Sequence, residues 1–243
     1  MSMSYNDVLY EMAISDLVES AIEEREKLIQ CLYLFVEGKS EYIAFPRLLK
    51  AAGFSLEDNA VEIINIGGAS NAKHVVKVLR KTISRNRPLV LVLDRDEAGI
   101  DATNNPVIRN DELTTIVHIP QNPIVKYANG IEGGEFEDAF DVETLVSSCF
   151  RALPPDQAEK LNKESILSNL APDKPRLNQI NGEIRKIIAG FYEIDKALLA
   201  ERLAESNVIP ESIDHLAQVL VSIREEHPIL SQFEELDQYM DEL

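Results

Sequence analysis

The sequence predicts an α/β fold: a mostly parallel sheet of about four strands flanked by helices, continued by a helical C-terminal extension. Short apolar runs alternate with helical patterns between residues 31 and 119. That rhythm marks strands buried on both faces by crossover helices. Two of the apolar runs end in acids, Glu37 after Leu32–Val36 and Asp94 and Asp96 after Leu89–Leu93. From about residue 137 the strand signals stop and only helical patterns remain.

Taken in order, residues 5–29 form an amphipathic helix, with Val8, Met12, Leu17, Ala21, Ile22 and Leu28 near helical spacing. Leu32–Val36 is the first strand, and Glu41–Ala52 a helix closed by Gly53. Val61–Ile66, rich in β-branched residues, is the second strand. A helix follows from Ser70, a plausible N-cap, to Ser84; Leu89–Leu93 is the third strand and Thr114–Ile119 the fourth, before Pro120. Segments 137–150, 156–169, 176–192, 195–206, 210–226 and 229–242 read as helices separated by Pro, Gly or Asn. The expected organisation is an N-terminal helix (1–30), an α/β domain (31–142) and a helical extension (143–243), without repeats or low-complexity linkers.

The chain has 243 residues, 45% hydrophobic and 27% charged, enough to bury a real core. No apolar stretch is long enough for a transmembrane helix, and the first residues lack the basic and apolar regions of a secretory signal. Cys31 and Cys149 lie in apolar or helical contexts without metal-type spacing, which suits buried, reduced thiols in the cytoplasm. The net charge of −18 argues against a simple nucleic-acid binder, because phosphate contacts need Lys and Arg. Either the acids are segregated from the site or a partner supplies basic surface. Residues 225–243 hold seven acids and no Lys or Arg, a solvated tail or a docking segment for a basic partner.

The chemistry centres on the strand-end acids. Carboxylates at the C-terminal ends of neighbouring strands converge on the crevice where open α/β sheets place their ligands. Asp94 and Asp96 stand in an i, i+2 relation and project to one side, and Glu41 lies about one helical turn beyond Glu37. Gly38 lets the turn between strand and helix be tight. Glu37 alone could simply cap the next helix, but acids packed this closely repel one another unless a cation joins them. An all-oxygen set with no Cys or His cluster favours Mg²⁺ or Mn²⁺ over zinc. His74, His118, His215 and His227 are scattered, and no tyrosine has a context that selects a nucleophile. Arg80, Lys81, Arg85 and Arg87 form a basic cluster that fits either helix C-terminal capping or phosphate contact.

Glu-Gly after one strand and Asp-x-Asp after another resembles the Toprim domain, over roughly residues 31–142. Details favour the OLD (overcoming lysogenisation defect) branch. Glu37–Glu41 is similar to that family's Glu-Gly-x-x-Glu/Asp, whose second acid is a metal ligand, and Asp94–Gly99 to its Asp-x-Asp-x-x-Gly. Gly134–Phe140 resembles its later acidic motif, so that Glu137, with Glu135, would complete a metal site. Asp195–Ala204 resembles a downstream helix whose lysine, here Lys196, faces the active site; an ordinary solvated lysine is the alternative. The loop at 67–71 matches the family's Gly-containing loop, or is a plain strand-to-helix turn.

The resemblance implies a metal-dependent nuclease in which Glu37, Asp94, Asp96 and Lys196 are catalytic. Glu37, Glu41, Asp94, Asp96, Glu135 and Glu137 would hold Mg²⁺ or Mn²⁺, with DNA or RNA as substrate. Fused OLD nucleases carry an ABC-type ATPase ahead of the Toprim domain, and this chain has no Gly-x-x-x-x-Gly-Lys-Ser/Thr loop. The expectation is therefore a stand-alone Toprim subunit, of the kind that serves as an anti-phage effector, with a separate ABC-type ATPase partner. Self-association is possible, and no membrane contact is expected. The alternative is a binding or regulatory subunit that docks such an ATPase and has little activity alone.

Overall fold

The computed structural model describes residues 31–82 and 85–229. The helix expected over 5–29 lies outside these residues, as does that over 229–242 but for Ile229. Four parallel strands form the sheet: β1 (Leu32–Val36), β2 (Val61–Asn65), β3 (Leu89–Asp94) and β4 (Thr114–Ile119), in the order β2-β1-β3-β4. Each pairs in straight register, Val36 beside Asn65 and Val92, and Asp94 beside Ile119.

All five β1 side chains are buried because both faces of the sheet are covered. Leu32, Leu34 and Val36 face one core with Val90 and Val92; Tyr33 and Phe35 face the other with Leu89, Leu91 and Leu93. Helix α1 (Lys39–Ala51) packs Ala44, Phe45, Leu48 and Leu49 into the first core. Helix α2 (Ala72–Leu79) packs Val75, Val76 and Leu79 into the second. The chain thus steps from β1 outward to β2, then back past β1 to β3. The direction of winding switches between β1 and β3, which opens a crevice at their C-terminal ends.

The remaining helices are α3 (Glu97–Thr103), α4 (Pro106–Arg109), α5 (Val142–Ala152), α6 (Pro155–Ala158), α7 (Lys163–Asn169), α8 (Arg176–Ile187), α9 (Lys196–Ala204) and α10 (Glu211–Glu226). Helices α5, α9 and α10 extend the first core through Leu145, Leu199, Leu203, Leu216 and Leu220. A two-residue hairpin, β5 (Val125–Lys126) with β6 (Glu132–Gly133), lies between β4 and a 3₁₀ turn at Phe136–Ala139.

Four elements differ from expectation, one of them the helix expected over 176–192, which ends at Ile187. The helix placed from Ser70 to Ser84 starts at Ala72 and ends at Leu79, and Ser70 caps nothing. Residues 69–71 instead form a 3₁₀ turn, held by Asn71 Nδ2 donating to Ile66 O (2.8 Å) and Gly67 O (3.2 Å). The helix expected over 137–150 begins only at Val142, where the Asp141 carboxylate accepts the Thr144 N–H at 2.8 Å. The 156–169 helix is split, and Asn162 restarts it by accepting the Ser165 N–H at 2.8 Å. Helices α3 and α4 and the small hairpin were not legible: Glu97–Thr103 contains Gly99 and only one large apolar residue, Ile100.

Cys31 and Cys149 are both buried, in opposite cores. No helix among the described residues is long and apolar enough to cross a membrane. Arg80 serves the fold: its Nε pairs with Asp111 at 2.7 Å, and its Nη1 donates to the carbonyls of Arg85 (3.0 Å) and Arg87 (2.8 Å).

Candidate active site

The crevice between β1 and β3 collects most of the acids that the sequence singles out. Glu37 follows β1, and its Oε2 accepts the Asp94 N–H at 3.0 Å, which ties the two strand ends together. Asp94 closes β3, and its Oδ1 accepts the Phe136 N–H at 2.9 Å, which draws the 3₁₀ turn onto the strand end. Alternation along β3 places Asp94 on the same face as Val90 and Val92, toward α1. There Glu41, buried in the first turn of α1, accepts the Gly38 N–H at 3.1 Å. Glu137 is buried in the 3₁₀ turn.

Backbone contacts hold the second acidic segment in place. Arg95 and Gly134 exchange both N–H···O bonds, each 3.0 Å. The approach is so close that a Cβ on Gly133 would stand 1.5 Å from Arg95 O, and one on Gly99 2.0 Å from Asp94 O. These two positions need glycine for want of space. Asp138, only 2% exposed, braces the turn: it accepts the N–H of Glu135 (3.1 Å) and of Arg176 (3.0 Å). Arg176 Nη1 in turn donates to Asp138 O at 3.1 Å and to Phe140 O.

Lys196 opens α9, with Asp195 as the N-cap accepting the N–H groups of Ala197 (2.8 Å) and Leu198 (3.1 Å). Its Nζ lies 3.4 Å from Glu135 Oε2 and 3.8 Å from Glu137 Oε1. Helix α9 packs along α1 in the same direction: Glu41 and Lys196 interact near their starts, Arg47 and Glu205 further along. Both helices present their N-termini to the acids, where the positive end of the helix dipole favours an anion.

The electrostatics are those of crowded like charges. Burial pushes Glu41 up to about 7, and the charges of Glu137 and Glu37 add to it. Burial, then Glu41, Glu37, Glu137 and Glu135, hold Asp94 well above the carboxylate range. Burial also raises Glu37, against the Asp94 N–H, and Glu137, against Lys196. Burial opposes the charge on Lys196, but Glu137 and Glu135 outweigh it and raise the lysine further.

Asp96 stands differently: its Oδ1 accepts the Gly99 N–H at 2.8 Å and caps α3, and only its charge reaches Glu37. Among the described residues, no three Asp, Glu, His or Cys side chains are closed into a ligand cage. Each strand-end acid instead gives one oxygen to a backbone N–H. The donor set nevertheless fits a hard divalent cation: it is all carboxylate, raised by its own crowding, with one lysine to balance it.

Sequence reasoning missed Asp138, Arg176 and Gly133, which aim the second acidic segment; the Gly133-Gly134 pair was the available signal. It also missed Tyr127, whose hydroxyl is buried without a hydrogen-bond partner near Glu135 and Asp138. The histidines do not gather, although His118 Nδ1 lies 3.2 Å from Asp94 O.

Residues 32–96 match the family model of the overcoming lysogenization defect protein-like TOPRIM domain. No curated protein matches the chain. Among solved structures, the C-terminal region of the Xanthomonas campestris pv. campestris OLD protein is similar at 18% identity. The match covers 81% of this chain and 97% of that one, with a TM-score of 0.48. The C-terminal region of the Burkholderia pseudomallei OLD protein is similar at 13% identity, covering 79% and 96%, with a TM-score of 0.45. The family match spans Glu37, Glu41, Asp94 and Asp96 together, so the segment that carries these four acids is similar to the OLD-like Toprim domain.

Proposed function

We propose that this protein is a metal-dependent nuclease that hydrolyses phosphodiester bonds of DNA or RNA. The OLD-like Toprim domain is a nuclease-type fold, and it supports a nuclease-like enzyme. The observation that carries the reading further is the crowded set of buried Glu41 and Glu137 with half-buried Glu37, Asp94 and Glu135, beside Lys196. These carboxylates, with Asp96 at the rim, would hold Mg²⁺ or Mn²⁺. Such a cation supplies positive charge that polarises a phosphoryl oxygen and acidifies an attacking water.

The chain's own residues do the rest. Glu37 and Asp94 fix the two strand ends against each other, so the oxygen pair is set before substrate arrives. Lys196 stands at the mouth with its charge reinforced, placed to neutralise a phosphate that gains charge during hydrolysis. The N-termini of α1 and α9 add further positive potential for the phosphate group.

The test is incubation of supercoiled plasmid DNA and of total tRNA with the protein and Mn²⁺ or Mg²⁺. Wild type should cut at least one of them and Glu37→Ala neither. Cleavage by Glu37→Ala at the wild-type rate overturns the site, and an inactive wild type, alone and with its partner, overturns the activity.

The net charge of −18 favours a second, compatible reading: a subunit that docks a separate ABC-type ATPase, as in anti-phage effectors, and leans on it for basic surface. Co-purification with such an ATPase, and cleavage that depends on it, would distinguish this from an autonomous nuclease.

A further inference from the structure

A cleft of about 330 Å³ lies between the α5–α6 turn and the loop from α8 to α9, lined by Leu153, Pro154, Phe191, Tyr192, Ile194 and Asp195 among others. The loop is firmly built. Phe191 packs on the core, Ile194 is buried, and the Ile194 N–H donates to the buried Asn181 Oδ1 at 3.0 Å. Between them Tyr192 points outward and is 77% exposed, the most exposed large apolar residue described.

Its ring is nonetheless fixed. The Arg185 guanidinium lies 5.8 Å from the ring centroid on one face, and Arg185 Nε donates to Tyr192 O at 2.6 Å. A cation–π contact covers one face and leaves the other to solvent. Four residues later comes Lys196, so the two Cα atoms are at most about 14 Å apart along the chain. That is the reach of a few nucleotides of one strand.

Building on the nuclease reading, we propose that Tyr192 is a stacking platform for an unpaired base, and that the substrate engages the site as a single strand. A rigid ring with one open face, backed by an arginine and followed by a lysine, is how proteins hold single-stranded nucleic acid: bases stack while cations track the backbone. A duplex keeps its bases stacked inside and offers nothing to this ring. Charge also selects the approach. Glu193 lines the cleft and Asp195 is committed to capping α9, so the backbone runs from the Arg185 side toward Lys196.

The chain contains no tryptophan, so Tyr192→Trp places a single reporter on the platform. The experiment titrates the full-length variant with oligothymidylate, oligouridylate and a DNA duplex, in EDTA and again in Ca²⁺, and follows tryptophan emission. In parallel, fluorescence anisotropy compares binding of a labelled oligothymidylate to wild type, Tyr192→Phe and Tyr192→Ala. Single strands should quench the emission and the duplex should not. Tyr192→Ala should bind single strands about 5- to 100-fold more weakly, the effect of losing one stacked base, and Tyr192→Phe should match wild type.

Unmoved emission, equal quenching by duplex, or wild-type affinity in Tyr192→Ala overturns the proposal. Quenching in a protein that cuts nothing would sink the nuclease reading and keep the platform. Cutting with no response at position 192 would do the reverse.

Discussion

Glu41→Gln removes one charge from the buried set while keeping an oxygen that can accept the Gly38 N–H. In the wild type, burial and the neighbouring acids move this carboxyl from 4.5 to about 7. The native state therefore keeps its proton to higher pH than the unfolded chain, and stability falls as pH rises from about 4.5 through about 7. Ionising Glu41 in place then costs the metal-free fold about 3 kcal/mol, at 1.36 kcal/mol per pH unit. Gln escapes that cost. In EDTA at pH 8 the variant should be more stable by up to about 3 kcal/mol, a rise in Tm of roughly 6–12 °C for a chain of this size. At pH 5 the gap should shrink below about 1 kcal/mol, since the native carboxyl is still protonated and the pH is only about half a unit above the unfolded value. Urea unfolding followed by circular dichroism at the two pH values measures this. A variant no more stable than wild type at pH 8, or an equal offset at both pH values, refutes the crowding argument.

Lys196→Met leaves Glu137 without its cation at 3.8 Å. If the proposed chemistry holds, turnover should fall by about 100-fold or more, as for loss of a charge-stabilising donor, read by single-turnover cleavage. Asp138→Ala strands the N–H groups of Glu135 and Arg176; chemical denaturation should show a loss of about 1–3 kcal/mol. Gly133→Ala forces a methyl against Arg95 O and should cost about 1–3 kcal/mol, with weaker Mn²⁺ binding by calorimetry because the Glu135–Glu137 turn is displaced. Asp141→Ala removes the N-cap of α5 and should cost about 0.5–2 kcal/mol in thermal melts without changing Mn²⁺ affinity.

The four strands were legible because β1 and β3 are almost wholly apolar runs and β2 and β4 are short runs rich in β-branched residues, and β1 and β4 fall at the expected limits. Glu37 and Asp94 were legible for the same reason: an acid that ends such a run must lie at the sheet edge. Asp138 was not legible. Its two acceptor bonds go to Glu135, three residues back, and to Arg176, thirty-eight residues on, and no periodicity announces the second. Asp96 was legible as a strand-end acid, yet it also caps α3, a helix hidden by Gly99. That glycine serves close packing against Asp94 O, so the residue that concealed the helix is the one that seats it. Tyr192 escaped notice because nothing in a local pattern distinguishes an outward ring from an inward one; only the burial of Phe191 and Ile194 on either side does.

The raised proton affinities and the expected cation affinity are one free energy seen from two sides. Forcing Glu37, Glu41, Asp94 and Glu137 into a buried crevice stores repulsion that protons relieve at low pH. A divalent cation relieves the same repulsion, so protons and cation compete, and each must weaken the other by an equal factor. The stored repulsion also explains why the fold tolerates a site that lowers its own stability. The strand-end acids are held by backbone N–H groups of Asp94, Phe136 and Gly38, which secure the crevice without neutralising it. Had those partners been lysines, the fold would be firmer and the crevice would have no charge left for a cation. Under the proposed reading, the carboxylates inside would face the cation, while Lys196, between Glu135 and Glu137, would face the phosphate. If the proposed function holds, a protein of net charge −18 would thereby accept a polyanion at one place on its surface.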